Sequence, residues 1–308
     1  NRALLTPKSF AYLRISEGCD HTCTFCAIPA MRGRNRSKPM EVLREEAEGI
    51  ARAGVKEIVV VAEDSTAYGL DLFRQRRLAD LLEQLASVDG IEWIRVMYAY
   101  PHTVDRRLTS VLREQPKVVP YLDIPIQHIA APMLRAMKRG VSTEQVAEIL
   151  WRLRDEVPGI AVRSTFIVGF PGETEADFEA LLRFTEQYRF ERLGVFTWSA
   201  EEGTPAYDLP GRVPAEVAEQ RRAAIMATQK HILDAYQRAR VGTIQRVLID
   251  GRDGKDVVVG RTTADAPEID CRVLLRGVSI PAGTMIDARI TGVDDYDLVA
   301  EPITEPER

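Results

Sequence analysis

The chain has 308 residues, 45% of them hydrophobic and 28% charged, with a formal net charge of −5. This is the profile of a soluble globular protein of about two domains. It excludes a membrane-spanning chain, because no apolar run approaches the ~18 residues a bilayer requires, and the acidic balance argues against affinity built mainly on phosphate contacts.

Asn1–Ser9 lacks the apolar stretch of a signal peptide, so the expected location is cytoplasmic, with no membrane partner. Position 1 is not Met, and the chain is expected to begin inside a longer protein. From Phe10 to Phe196, short runs rich in Val, Ile, Phe and Tyr alternate with longer amphipathic ones. Strands are expected at Tyr12–Ile15, Glu57–Val61, Trp93–Tyr98, Tyr121–Ile124, Val162–Val168 and Leu193–Thr197. Helices are expected at Met40–Ala53, Arg77–Ser87, Asp105–Arg113, Thr143–Asp155 and Glu175–Tyr188. Alternation of this kind implies parallel strands joined by crossovers, and six units fit an open or incomplete (β/α)6 barrel.

A Pro- and Gly-rich break at Leu209–Val213 precedes a long helix from Pro214 to Arg240, with Pro214 expected in its first turn. Beyond Gly242 the pattern turns to short alternating strands at Gln245–Ile249, Val257–Val259, Val273–Leu275 and Met285–Thr291. Residues 1–240 and 241–308 are therefore expected as two domains, an α/β barrel with a linking helix and a small all-β barrel. The second holds eight Lys plus Arg against thirteen Asp plus Glu, which accounts for the whole net charge of the chain.

Three of the four cysteines fall within eight residues, as Cys19, Cys23 and Cys26 on the loop after the first strand. A disulfide scaffold spreads its cysteines, whereas such clustering indicates metal. Three thiolates suit an iron–sulfur cluster that keeps one iron open. The rival is zinc, which wants a fourth ligand, and His21 within the loop is available for it. Cys271 is expected to be a buried strand thiol, and His102 and His231 packing or surface residues.

In parallel α/β folds ligands sit beyond the C-terminal ends of the strands. Glu63, Asp64 and Ser65 follow the second strand, and Gln127 and His128 the fourth. Arg163 opens the fifth strand, where a buried arginine can pair with a carboxylate. Gly169 and Gly172 end it, where backbone can approach a ligand closely. Each also has a plainer reading: a helix-capping loop for residues 63–66, a satisfied loop histidine for His128, a strand edge in water for Arg163, and helix capping for Glu173 or Thr174.

The cysteine spacing, with Phe25 before the third cysteine, resembles the radical S-adenosylmethionine superfamily. The resemblance implies a [4Fe–4S] cluster on Cys19, Cys23 and Cys26, with S-adenosylmethionine as the second cofactor. Its pocket would include Phe25, Glu63, Asp64, Ser65, Gln127, Arg163 and Gly169. The sequence lacks the glycines that the superfamily carries after the second strand. Pro29–Gly33, Tyr121–His128 and Met137-Lys138-Arg139 are similar to the methylthiotransferase branch, and 260–270 to its TRAM domain, an OB-like barrel. Glu63–Gly69 resembles the branch members that methylthiolate an aspartyl β-carbon of small-subunit ribosomal protein twelve. The acidic barrel would dock that basic protein. The resemblance also implies an electron donor and a second [4Fe–4S] cluster in an N-terminal domain expected to be missing here. Two alternatives stand beside it: a tRNA adenosine methylthiotransferase, disfavoured by the charge, and a non-catalytic, metal-stapled TRAM binding module.

Overall fold

The structure is a computed structural model that describes residues 6–303. Most of the opening segment read for a signal peptide, and the charged end from residue 304, lie outside the described residues. The first domain is built on β1 (Phe10–Arg14), followed by a short pair of strands, β2 (Ser16–Glu17) and β3 (Arg36–Ser37), that brackets the cysteine loop and α1 (Ile28–Arg32). Then come α2 (Met40–Arg52), β4 (Glu57–Val61), α3 (Leu70–Phe73), α4 (Leu78–Ala86), β5 (Trp93–Val96) and α5 (Arg106–Glu114). They are followed by β6 (Val118–Asp123), α6 (Ala131–Ala136), α7 (Thr143–Glu156), β7 (Ala161–Val168), α8 (Glu175–Tyr188), β8 (Arg192–Thr197) and α9 (Ala215–Ala239).

The main sheet has six strands in the order β1-β4-β5-β6-β7-β8, all parallel and open between β1 and β8. Its outer face carries the main core. Ile58, Val60, Ile94, Val96, Leu122 and Val162 pack there against Leu43, Leu81, Leu112, Leu153 and Leu181 of the helices. The strands read as near-continuous apolar runs because the sheet is covered on both faces. The two longest helices between strands of this sheet, α7 and α8, start on capping boxes, Ser142 with Gln145 and Thr174 with Asp177. Pro214 is the N-cap of α9, one place before the first turn in which it was expected. The strand expected to reach Tyr98 stops at Val96, because Tyr98 takes φ 60°.

The second domain is a closed five-stranded barrel in the order β10-β11-β13-β12-β9. The strands are β9 (Ile244–Asp253), β10 (Val257–Arg261), β11 (Val273–Arg276), β12 (Met285–Asp294) and β13 (Asp297–Pro302). Sequence reading gives four of these. It misses β13, whose Asp, Glu and Pro mask the buried alternation of Leu298 and Ala300. Cys271 is buried but lies two residues ahead of β11 rather than within it.

The barrel's 262–270 segment closes the floor of the open sheet. Ala264, Ala266 and Leu248 pack against Phe10, Trp93, Val119 and Ala161, residues at the N-terminal ends of the parallel strands. Buried ion pairs line the same junction. Glu57 lies between Arg95 (2.7 Å) and Arg261 (2.7 Å), and Arg192 pairs with Asp265. With the floor sealed, the open end is the one where the strands terminate, which is where the cysteine loop lies.

Candidate active site

Gly18 begins the cysteine loop at φ 84°, and a Cβ there would lie 2.2 Å from the Arg34 carbonyl oxygen. The turn it allows brings the Cys19 N–H to the Gly33 carbonyl (3.0 Å). Thr24 anchors the far side. Its N–H donates to the Met137 carbonyl (3.2 Å), its hydroxyl donates to the Ala136 carbonyl (2.8 Å), and its own carbonyl accepts from the Ala206 N–H (2.8 Å). The loop is thus clamped from three elements before any ligand is considered.

Cys19, Cys23 and Cys26 line one cavity of about 280 Å³. Phe25, Glu63, Tyr98, Tyr100, Gln127, Arg139 and Thr165 share its wall, all but Thr165, which lies within β7, beyond the ends of the parallel strands. Burial pushes the Cys19 thiol up to about 11 and the Cys26 thiol up as well, so an empty pocket disfavours thiolates. Two residues of the wall, Glu63 and Gln127, each carry a buried acceptor (Oε2 and Oε1) with no hydrogen-bond partner. A ligand bearing a donor, such as an ammonium group, would satisfy them. Gln127 and Tyr98 hold left-handed backbone (φ 77° and 60°), a strain that side chains adopt where the surroundings impose it.

Three thiols around a cavity distinguish the two metal readings. Among the described residues, no group of three His, Cys, Asp or Glu side chains is drawn together to hold a single metal ion. His21, the fourth ligand a zinc site would need, also lines the cavity, with its Nε2 paired to Asp64 Oδ2 at 2.7 Å and its ring stacked on Tyr100 at 3.7 Å. Thiols spread around a cavity fit a multi-iron cluster in which each binds a different iron. Three thiol donors and two open acceptors therefore fit a [4Fe–4S] cluster with an amine-bearing cofactor beside it.

Not every residue expected at the pocket lines it. Phe25, Glu63 and Gln127 do. Asp64 sits behind the wall, accepting from His21 and from the Thr66 N–H (2.9 Å). Ser65 is buried, its hydroxyl donating to the Met97 carbonyl (2.6 Å). Arg163 occupies the same face of β7 as Thr165 but one step towards the floor, where its Nη1 donates to Asp123 (2.9 Å) and its Nε faces Asp270 (3.6 Å). A strand alternates its side chains, so an interior residue at the start of β7 is too deep for a ligand at its end.

Gly169 also lies off the wall. A Cβ there would come 2.4 Å from the Ala218 Cβ of α9, and its N–H donates to Glu173 (2.5 Å). Helix packing and a φ of 74° are enough to require the glycine. Gly169→Ala is accordingly expected to lower stability by about 1–3 kcal/mol. A urea titration showing an unchanged midpoint would mean that α9 simply moves aside. His128 is the satisfied loop histidine of the plainer reading: Nδ1 accepts from the Ile129 and Ala130 N–H groups (2.9 and 3.0 Å), and Nε2 faces Glu173 (3.1 Å).

Tyr98, Tyr100, Arg139 and Thr165 are among the wall residues that sequence reasoning misses. The tyrosines follow β5 at its ligand-binding end, which was a usable signal. Arg139 reaches the cavity from the turn after α6 and had only a sequence motif to mark it.

Comparison with known proteins agrees with this geometry. The family profile described as "Radical SAM superfamily" matches residues 13–185, and that described as "TRAM domain" matches 241–303. The chain is 45% identical over 306 residues to the ribosomal protein uS12 methylthiotransferase RimO of Acetivibrio thermocellus, covering 99% of this chain and 68% of that protein. It is 48% identical to the protein of the same name from Anaeromyxobacter sp. (strain K), covering 98% and 65% respectively. The fold is shared with solved radical S-adenosylmethionine enzymes. The methyltransferase TsrM of Kitasatospora setae aligns with a TM-score of 0.55 at 17% identity, over 82% of this chain and 46% of that one. Coproporphyrinogen III oxidase (HemN) of Escherichia coli aligns with a TM-score of 0.53 at 16% identity, over 87% and 66%. The chain spans about two thirds of the length of the curated relatives it matches. With near-complete coverage at this identity and both domains matched, the chain belongs to the radical S-adenosylmethionine superfamily and, within it, to the RimO family of methylthiotransferases.

Proposed function

We propose that the protein adds a methylthio group to the β-carbon of an aspartyl residue in ribosomal protein uS12. One observation carries the reading: three thiols and two unpartnered buried acceptors share a single cavity at the open end of the parallel sheet. Family membership implies a [4Fe–4S] cluster and S-adenosylmethionine. Cys19, Cys23 and Cys26 hold the cluster in this scheme. When bound, it supplies the electron that splits the sulfonium into methionine and a radical able to take hydrogen from an unactivated carbon.

The chain's own residues bind and orient. Glu63 Oε2 and Gln127 Oε1 receive the ammonium group of the cofactor, and Phe25 and Tyr98 provide apolar wall that limits water around the reacting atoms. In this scheme the sulfur would come from a second [4Fe–4S] cluster and its methyl group from a further S-adenosylmethionine, as the family resemblance implies, and Cys271, buried in the other domain, takes no part. An external one-electron donor completes the reaction.

The substrate reading draws support from the relatives' shared name and from the acidic second domain. The structure refines the charge argument. Asp250, Asp265 and Asp270 are engaged by Arg261, Arg192 and Arg163 at the domain junction, so they offer nothing to a partner. The exposed acids of this domain are Asp253, Asp256, Glu268, Asp287, Asp294, Asp295 and Glu301, of which Asp253, Asp287, Asp294 and Asp295 pair at the surface with Arg272, Arg246, Arg276 and Lys230, pairs that solvent screens and a basic partner could exchange. The protein carrying both clusters, reconstituted with iron and sulfide and supplied with S-adenosylmethionine and dithionite, is expected to add a methylthio group to the aspartyl residue of a uS12 peptide, read by mass spectrometry, whereas the 308-residue chain alone is expected to yield 5′-deoxyadenosine without that product. Methylthiolated adenosine in tRNA with unmodified uS12 would overturn the substrate assignment.

A further inference from the structure

A buried guanidinium needs an anion. Among the described residues six arginines are buried: Arg95, Arg139, Arg192, Arg221, Arg240 and Arg261. Five of them reach a carboxylate, on Glu57, Asp265 or Glu173. Arg139, only 5% exposed, pairs with none. Its Nη1 donates instead to the Cys23 sulfur at 3.4 Å.

The rest of the side chain is fixed so that this contact persists. Nη2 donates to the Pro125 carbonyl (2.5 Å), and the guanidinium lies 4.2 Å from the Tyr100 ring centroid. The Tyr100 hydroxyl in turn donates to the Arg139 carbonyl. A planar cation is thereby held against one cysteine from two sides. Arginine does not lose its proton in proteins, so the charge at this position is permanent.

We propose that Arg139 is the counter-charge of the cluster held by Cys19, Cys23 and Cys26, and that it raises the cluster's reduction potential. The proposal rests on the reading that these cysteines hold a cluster. Its physical basis is direct: reduction adds one negative charge, and a fixed cation hydrogen-bonded to a ligand sulfur stabilises the reduced form more than the oxidised one. Arg139 is thus a positioning residue that acts through Cys23.

The test is an anaerobic potentiometric titration of the reconstituted protein with dithionite, followed by electron paramagnetic resonance of the reduced cluster. Wild type, Arg139→Gln and Arg139→Lys are compared for iron content, far-ultraviolet circular dichroism and midpoint. Arg139→Gln is expected to make reduction about tenfold less favourable, a ~59 mV fall for one electron, which is the size of one charge-assisted hydrogen bond. Arg139→Lys is expected to stay near wild type. Should Arg139→Gln fold but hold no iron while Arg139→Lys loads normally, the counter-charge role is supported in stronger form. An iron-loaded Arg139→Gln with an unchanged midpoint overturns it. So does failure of both folded variants to load, because the charge alone would then be insufficient. Wild type that takes up no iron is a different result: it removes the cysteine reading itself.

Discussion

Alanine at Cys23 is expected to abolish reductive cleavage of S-adenosylmethionine, with 5′-deoxyadenosine falling to the level of enzyme-free controls. Cys23 is the most enclosed of the three thiols at 8% exposure, and it alone among them accepts from a buried cation. Removing it leaves two thiolates for a cluster that uses three, and leaves Arg139 Nη1 without its acceptor. Both effects act against cluster retention, so iron and sulfide content is expected to fall together with turnover. Cys271→Ala provides the comparison. That thiol is also buried, but in the other domain, and its removal is expected to leave iron content and 5′-deoxyadenosine formation unchanged. Full activity in the Cys23 variant, or equal losses in the two, would show that the cavity is not where the electron arrives.

The second large effect is on stability, at the junction of the domains. Glu57 is wholly buried at the start of β4, with Arg95 Nε donating to Oε1 at 2.7 Å and Arg261 Nη1 lying 2.7 Å from Oε2. Arg95 also donates to the Thr263 carbonyl (2.7 Å), and Arg261 holds Asp250 (2.7 Å), so the group joins both domains. Burial alone would raise the Glu57 carboxyl, but Arg261 and Arg95 outweigh it and hold the group below its ordinary value.

Arg261→Met is therefore expected to cost about 3–5 kcal/mol, because it leaves the buried Glu57 with Arg95 alone and Asp250 with no cation. Adding Glu57→Gln to that variant is expected to cost less than the same change in wild type, since only Arg95, and no longer Arg261, then loses its carboxylate. A urea unfolding cycle of the two single variants and the double variant measures the coupling. Strict additivity would mean the pair is not an interacting unit.

The sign of the pH dependence follows. A carboxyl depressed in the folded state contributes stability above its unfolded value near 4.5, and that contribution is lost as pH falls through the folded value. Wild type is expected to lose stability on acidification below that range more steeply than Glu57→Gln. Parallel curves for the two would remove Glu57 from the account.

Much of this molecule was legible before folding. The cysteine spacing, the alternation of apolar strands with amphipathic helices, and the turn to short strands after Gly242 are local patterns. Periodicity and ligand spacing are properties of contiguous residues, so the six parallel strands, the long α9 and the grouping of Cys19, Cys23 and Cys26 could be read directly. What a side chain does once strands are placed side by side was not legible. Nothing in the sequence distinguishes Arg163, turned towards the floor to hold Asp123 and Asp270, from Arg139, turned towards Cys23. The glycine at 169 could not be assigned to α9 packing, because Ala218 lies 49 positions along the chain. Nor could the acids of the second domain be divided into those paired at the junction and those left on the surface. Pairing across distant segments depends on which side chains the completed sheet brings within about 3 Å of one another, and only the tertiary structure decides that.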